Sequence, residues 1–389
     1  MSFGVAIIGL AVLILFHEAG HFFAARAVGM RPRKFYIGFP PALVKKVRGG
    51  VEYGIGAIPL GGYVKIPGMH RAAPGDLRAT LSPDDQEALA AELNDLDAAL
   101  DCGDEPAARA LLPALEARLG SNRMLQELEG SLSADAYWRQ TTWKRVVVIG
   151  AGPFVNVVCA LILFMGVFMS IVPTRTVYAT VAGYPAAKAG IKAGDQILTV
   201  AGRPVDGASL PKAINATGGR PFRVVLVRDG KRLVVGPLRA RSSQGAYKIG
   251  IQIKAKTGLG DSPLTAARKS GQLSWDITSG TVAGIGRLFF GQGTHQISST
   301  VGIVRDTAAA YRQSLQDFFF VLGYISLALA LLNLLPILPL DGGHIMMSLL
   351  EHVRGRAFSQ LAYLRYSAVG VALMLFLFSI GARNDHLLP

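Results

Sequence analysis

Apolar residues are concentrated in four long runs of the chain. The runs lie at 1–28, 143–172, 316–350 and 364–382. A helix needs about 17–25 predominantly apolar residues to cross a bilayer, and each run is long enough. The first and third runs are interrupted by polar residues. The pattern therefore predicts a polytopic α-helical membrane protein with four transmembrane helices.

The segments between the runs show other patterns of apolar and polar residues. Residues 35–69 alternate apolar and small residues between glycines and prolines, which predicts short strands and turns. Their apolar character favours a membrane-associated β-segment, because strand edges in a bilayer persist only when protein buries them or they line a cavity. A cytoplasmic hairpin is the alternative.

Two further segments have the character of amphipathic helices. The segment 72–139 contains residues 82–131, which predict two or three helices, with Ser82 as an N-cap and acidic residues in the first turn. This is interpreted as an acidic helical cytoplasmic insert, to which no specific role is assigned. Residues 262–292 predict an amphipathic helix lying at the membrane interface.

Composition and charge narrow the class of protein to which this chain can belong. The 389 residues are 51% hydrophobic and 17% charged, which argues against an ordinary soluble enzyme. The two cysteines, Cys102 and Cys159, exclude a disulfide framework and a thiolate metal cluster. The segment 72–139 holds 14 acidic and 5 basic residues, so the remaining chain has 12 acidic and 35 basic residues. The basic residues flank apolar runs, which favours contact with anionic lipid over nucleic acid.

The basic clusters also predict an orientation. The positive-inside rule places the loop after the first run and the loop between the third and fourth runs in the cytoplasm. Both termini and the long segment between the second and third runs then lie outside.

Residues 175–256 carry β-branched runs separated by Gly-Asp and Asp-Gly turns. The stretch AGIKAGDQIL resembles the turn of PDZ domains, in the circularly permuted form of bacterial membrane proteases. PDZ domains bind extended peptide by strand addition. The resemblance implies an extracytoplasmic PDZ-like β-domain with a peptide ligand, and it places Ile249, Gly250 and Ile251 beside the groove. A purely structural β-domain is the alternative.

The first apolar run contains ILFHEAGHFF. On a helix, His17 and His21 project from one face within reach of a single metal ion, and Glu18 lies beside them to accept a proton from water. Ionisable groups inside a membrane helix normally have a partner or a function. Histidines bonded to backbone carbonyls beside an unrelated glutamate are the structural alternative.

A catalytic zinc site has three protein ligands and one open position. Glu18 and Asp341 are the two carboxylates that fall well inside apolar runs, and Asp341 follows Pro336 and Pro339, which must break the third run. The predicted topology brings Asp341 and the histidines to the cytoplasmic half of the membrane. Asp341 as a helix cap is a compatible alternative.

These motifs together resemble the site-2 protease family of intramembrane zinc metalloproteases, and in particular the bacterial regulator-of-sigma-E protease type with one PDZ domain. The motifs are HEAGH, Gly152-Pro153-Phe154-Val155-Asn156, the PDZ-like segment, and Asn333 followed by LDGG. The resemblance implies that Zn²⁺ is bound by His17, His21 and Asp341, with Glu18 as the general base. It further implies that Asn333 holds the substrate strand or the oxyanion, with a weaker similar claim for Asn156. His344 stays unassigned.

The expected function is cleavage of transmembrane segments of membrane-anchored proteins, such as anti-sigma factors already cut by another protease, in the bacterial inner membrane. The β-segment would receive the unwound substrate strand by edge pairing at Gly61 and Gly62. The insert at 72–139 and Ser299-Thr300-Val301-Gly302-Ile303 depart from the family pattern. An ion transporter and a catalytically silent PDZ adaptor are the competing hypotheses.

Overall fold

The computed structural model describes residues 2–120, 122–243, 246–288, 300–356, 358 and 360–384. It divides into two compact units, one of residues 1–163 with 274–389 and one of residues 164–273. The α-helices are α1 (Ser2–Ala27), α2 (Pro83–Ala88), α3 (Ala90–Cys102), α4 (Glu105–Leu119), α5 (Arg123–Leu132), α6 (Thr142–Ser170), α7 (Pro185–Lys188), α8 (Leu210–Asn215), α9 (Pro263–Leu288), α10 (Thr300–Gln313), α11 (Leu315–Asn333), α12 (Asp341–Arg354) and α13 (Gln360–Asn384).

Four of these helices are long and apolar enough to cross a membrane. They are Ser2–Ala27, Thr142–Ser170, Leu315–Asn333 and, within α13, Ala362–Asn384. Large apolar side chains such as Leu375 and Phe376 are exposed along α13, as expected for a surface that faces lipid and not water. The chain is therefore a membrane protein, as the four apolar runs predict.

The run predicted at 316–350 forms two helices. α11 ends at Asn333 and α12 begins at Asp341. Pro336 and Pro339 lie between them, and a proline removes a backbone donor and blocks the preceding turn. The break places Asp341 at the start of a helix, where the free backbone N–H groups favour a negative charge.

The segment after α1 forms a small sheet from two long, irregular strands, β1 (Lys34–Arg48) and β2 (Val51–Lys65). Tyr36 pairs with both Gly54 and Tyr63, so the first half of β1 lies between the two halves of β2. The second half of β1 pairs with the first half of β2 around the turn at Gly49 and Gly50. The last residues of β2 consequently lie at one edge of this sheet.

The acidic insert contains four helices, α2 to α5, where the sequence predicts two or three. Ser82 caps α2 as predicted, since its side chain accepts a hydrogen bond from the backbone N–H of Asp85. Helices α3 to α5 share an apolar core that includes Leu93, Leu96 and Leu115. Ion pairs join the insert to the β-segment and to Arg33, the residue before β1. Lys65 Nζ lies 2.9 Å from Glu127 Oε1, and Arg33 Nη2 lies 3.2 Å from Asp135 Oδ1.

The second unit is a β-domain. Its strands are β3 (Ile171–Thr180), β4 (Gln196–Val200), β5 (Arg203–Pro204), β6 (Phe222–Arg228), β7 (Lys231–Leu238), β8 (Arg241–Ser243), β9 (Ala246–Lys248) and β10 (Ile251–Thr257). The main sheet has the order β10-β3-β4-β6-β7, and β5 pairs with β4. Its core consists of buried aliphatic side chains such as Ile197, Val224 and Leu226.

The predicted interfacial helix at 262–292 corresponds to α9, which the structure describes from Pro263 to Leu288. Residues 289–292 of that prediction lie outside the described residues. Apolar Leu264, Trp275 and Val282 are exposed on α9.

Candidate metal centre

His17 and His21 lie one turn apart on α1, and their rings converge. The two Nε2 atoms are 3.2 Å apart, and both side chains are buried. The Nδ1 of His21 is 2.9 Å from the carbonyl oxygen of Val148 on α6. Because a carbonyl can only accept, Nδ1 of His21 carries a proton, and Nε2, which faces His17 and Asp341, is the ring nitrogen available to bind a metal.

Asp341, the first residue of α12, completes the cluster. Its Oδ2 lies 3.2 Å from Nε2 of His17 and 3.4 Å from Nε2 of His21. Gly342 lets α12 begin against the end of α11, since a Cβ there would lie 2.3 Å from the carbonyl oxygens of Leu334 and Leu335. The glycine after Asp341 thus fixes where the carboxylate is held.

The three side chains fit a zinc ion. Their ligand atoms form a triangle with sides of 3.2, 3.2 and 3.4 Å. A tetrahedral zinc with bonds of about 2.0–2.1 Å requires ligand atoms about 3.3–3.4 Å apart. Among the described residues, Oδ2 of Asp341 is buried and accepts no hydrogen bond. A cation between the three atoms would satisfy this buried oxygen.

Glycines bring α6 against the histidines. A Cβ at Gly152 would lie 2.3 Å from Nε2 of His21 and 2.8 Å from Cε1 of His17. A Cβ at Gly20 would lie 2.7 Å from the carbonyl oxygen of Ala151. The histidine pair therefore depends on the absence of side chains at two facing helix positions.

Glu18 lies between this cluster and the β-segment. Its side chain is half-buried. At the edge of the sheet, Gly62 packs directly on it, because a Cβ at Gly62 would be 2.8 Å from Cγ of Glu18. A carboxylate thus stands next to both a potential metal ligand set and an edge strand.

Comparison with known proteins decides the family. The sequence profile of peptidase family M50 matches residues 5–377. The chain is 28% identical over 411 aligned positions to the metalloprotease MmpA of Caulobacter vibrioides, with 97% of this chain and 93% of that protein covered. It is 26% identical over 406 positions to the zinc metalloprotease Rip1 of Mycobacterium tuberculosis, with 90% and 86% covered.

The chain belongs to peptidase family M50. This is the site-2 protease family, and its members are zinc-dependent. The protein is therefore a membrane zinc metalloprotease, as the sequence motifs predict.

The two asparagines predicted at the protease site occupy different environments. Asn333 is the half-buried last residue of α11, eight positions before Asp341. Asn156 lies on α6, one turn beyond Gly152, and is completely buried with 0% of its surface exposed. Neither its side-chain oxygen nor its nitrogen has a hydrogen-bond partner among the described residues.

The remaining predicted residues lie on two β-structures. Gly61 and Gly62 are in β2, and Gly61 has a φ of 154°, a conformation that glycine adopts most easily. Ile249, Gly250 and Ile251 line a groove of about 360 Å³ in the β-domain. Tyr184, Ile214 and Tyr247 are among its other lining residues.

The glycine contacts and a buried ion pair were not predicted from the sequence. Arg145 Nη1 on α6 lies 2.5 Å from Glu351 Oε2 on α12, with both side chains buried. The second oxygen of Glu351 accepts the backbone N–H of Phe358 at 2.8 Å. An acidic residue late in an amphipathic helix gives little signal of burial, whereas Gly152 within its motif could have indicated a close helix contact.

Proposed function

We propose that His17, His21 and Asp341 hold the zinc of this protease and that Glu18 is its general base. The convergence of three ligand atoms at 3.2–3.4 Å carries the proposal. These residues come from helices more than 300 positions apart in sequence, and the spacing matches a tetrahedral ion. A hydrolytic centre needs only these ligands, an adjacent base and an open position for water.

The chemistry is divided between the ion and the chain. When bound, zinc polarises the scissile carbonyl and makes water a stronger acid. Glu18 is placed to take the proton from the attacking water and to return it to the leaving amine. The side-chain amide of Asn333 would donate a hydrogen bond to the developing oxyanion. His17, His21 and Asp341 need no movement for this role, because their packing already sets their spacing.

A substrate helix must unwind before its carbonyls become accessible. The last residues of β2 lie at the edge of the sheet directly beside Glu18, where an extended strand could pair with them. Gly61 and Gly62 would let the substrate backbone approach without side-chain interference. Replacing Gly62 with proline should then abolish cleavage and leave zinc content unchanged. Retained cleavage would contradict the pairing.

The β-domain is assigned as a PDZ domain, with the groove beside Ile249, Gly250 and Ile251 as its peptide site. Support comes from the strand and helix that flank the groove, β10 and α8, and from its largely apolar lining. On the outer side of the membrane, such a domain would admit or recognise the stub left by an earlier cut.

The physiological proposal is regulated intramembrane proteolysis in a bacterial inner membrane. The substrates would be membrane-anchored proteins such as anti-sigma factors, shortened by another protease. The β-domain and both termini are placed outside and the metal site in the cytoplasmic half, on the basis of the flanking basic residues.

The proposal is tested by comparing wild type with Glu18→Gln for zinc content and for cleavage of a model transmembrane substrate in detergent. Zinc in both proteins and cleavage by wild type alone are expected. Equal cleavage would remove Glu18 as the base. Lack of zinc in both would refute the ligand assignment.

A further inference from the structure

The two histidines of the metal centre differ in their outer hydrogen bonds. Nδ1 of His21 reaches the Val148 carbonyl at 2.9 Å. Nδ1 of His17 is buried and has no partner among the described residues. Metal-binding histidines nearly always donate the second ring N–H to a carbonyl, carboxylate or water, which fixes the tautomer and the ring orientation. His17 therefore needs a partner that direct protein contacts do not supply.

Asn156 is a second buried polar group without a partner. Both polar atoms of its side chain are buried and unbonded among the described residues. A buried polar group left unsatisfied destabilises a protein, because it has lost its hydrogen bonds to water. The backbone at this position is held from the other side, because Ser326 Oγ on α11 donates to the Asn156 carbonyl at 2.8 Å. The Asn156 backbone is thus held in place, while the side-chain amide has no partner among the described residues.

The packing register of α1 and α6 places Asn156 within about one helical turn of His17. Contacts run in opposite directions along the helices: His21 meets Val148, Gly20 meets Ala151, and His17 meets Gly152. One turn outward, Leu13 packs in one cluster with Cys159 and Leu163. Asn156 falls between the last two contacts. It lies four residues after Gly152, and residues four apart share a helix face.

We propose that Asn156 positions His17. One bridging water links its side-chain oxygen to the Nδ1–H of His17, and this link keeps the imidazole oriented with Nε2 aimed at the ion. His17 has a ring N–H without an acceptor, and Asn156 has a side-chain oxygen without a donor, among the described residues. An enclosed site with several polar atoms suits a bridging water. Complete burial of the amide favours this role over contact with substrate. The inference rests on the metal site proposed above.

The test uses Asn156→Leu, Asn156→Asp and Ser326→Ala in the full-length protein. Leucine has the branching of asparagine but no polar atoms, so a purely structural role predicts unchanged zinc affinity and equal or higher stability. Aspartate keeps the acceptor oxygen. Ser326→Ala removes the neighbouring backbone hydrogen bond and leaves the amide. Zinc affinity is measured by chelator competition, and ligand geometry by the visible spectrum of the Co²⁺-substituted protein.

We expect zinc to bind about 10–100-fold more weakly to Asn156→Leu, with a changed Co²⁺ spectrum. Asn156→Asp and Ser326→Ala should remain within about threefold of wild type, on the same scale of outer-partner effects. Unchanged affinity in Asn156→Leu, or an equal loss in Ser326→Ala, would overturn the inference while the metal site stands. If Asn156→Leu does not fold, loss of zinc from Asn156→Asp would overturn it. Absence of zinc from wild type would overturn both proposals.

Discussion

Gly152→Ala should weaken zinc binding without unfolding the protein. The added Cβ would lie 2.3 Å from Nε2 of His21 and 2.8 Å from Cε1 of His17. Ordinary contacts between carbon atoms begin at about 3.5 Å, so the rings or the helix must move by roughly 1 Å. Metal–ligand distances tolerate changes of only about 0.2 Å. We expect zinc affinity to fall at least about 100-fold, the upper end of the effect of losing an outer partner.

Gly150→Ala is the matched control on the same helix. Among the residues that the structure describes, its new Cβ would meet only Ile345 Cδ1, at 3.9 Å, which is an ordinary contact. Alanine is favoured over glycine in a helix by about 0.5–1 kcal/mol, so this variant should be as stable as wild type or more so. In Gly152→Ala the same gain is offset by overpacking, which costs about 1–3 kcal/mol.

Both variants would be purified in detergent and compared by chelator competition for zinc and by thermal unfolding. We expect Gly152→Ala to fold but to bind zinc weakly, and Gly150→Ala to match wild type in zinc affinity and thermal unfolding. If Gly152→Ala binds zinc within threefold of Gly150→Ala, the helix spacing does not limit the site and the argument is refuted.

Three other predictions concern separate parts of the chain. Glu351→Gln should destabilise the protein by about 3–5 kcal/mol in thermal unfolding, because it leaves the buried charge of Arg145 unpaired; a loss below 1 kcal/mol would contradict this. Burial alone would raise the pKa of Asp195, but hydrogen bonds from Arg228 lower it below its ordinary value. The Asp195–Arg228 pair should stabilise the β-domain fully above about pH 4, and this stabilisation should be lost as the pH falls through the lowered pKa. Asp195→Asn should abolish this pH dependence, as measured by hydrogen exchange between about pH 3 and 6. Gly62→Ala should reduce the cleavage rate with zinc retained, since its Cβ would press on Glu18 at 2.8 Å; unchanged cleavage would show that the strand adapts.

Local periodicity accounts for what the sequence predicted well. His17 and His21 share a face because any α-helix brings residues four apart together. The apolar length of a helix and the cap at Ser82 are likewise properties of a short segment. The proline break before Asp341 follows from the chemistry of one residue type. These features do not depend on the rest of the fold.

Other features depend on residues far apart in sequence. The predicted topology, with Glu18 and Asp341 as the carboxylates inside apolar runs, indicated that Asp341 lies near the histidines. Only packing sets the distances of 3.2 and 3.4 Å from Oδ2 of Asp341 to Nε2 of His17 and His21. The double pairing of β1 with β2 has no local signature, because each strand is a plausible hairpin arm by itself.

The sequence by itself determined the membrane class, the helix carrying HEAGH and the family of the protease. Tertiary structure alone decided that Gly152 lies against both histidines and that Gly62 lies on Glu18. It also decided that Asn156 is buried with no partner for its amide in the described part of the chain. The physical reason is that period and composition fix which face of an element is apolar, whereas contacts between elements depend on their mutual register and on the small residues that permit close approach.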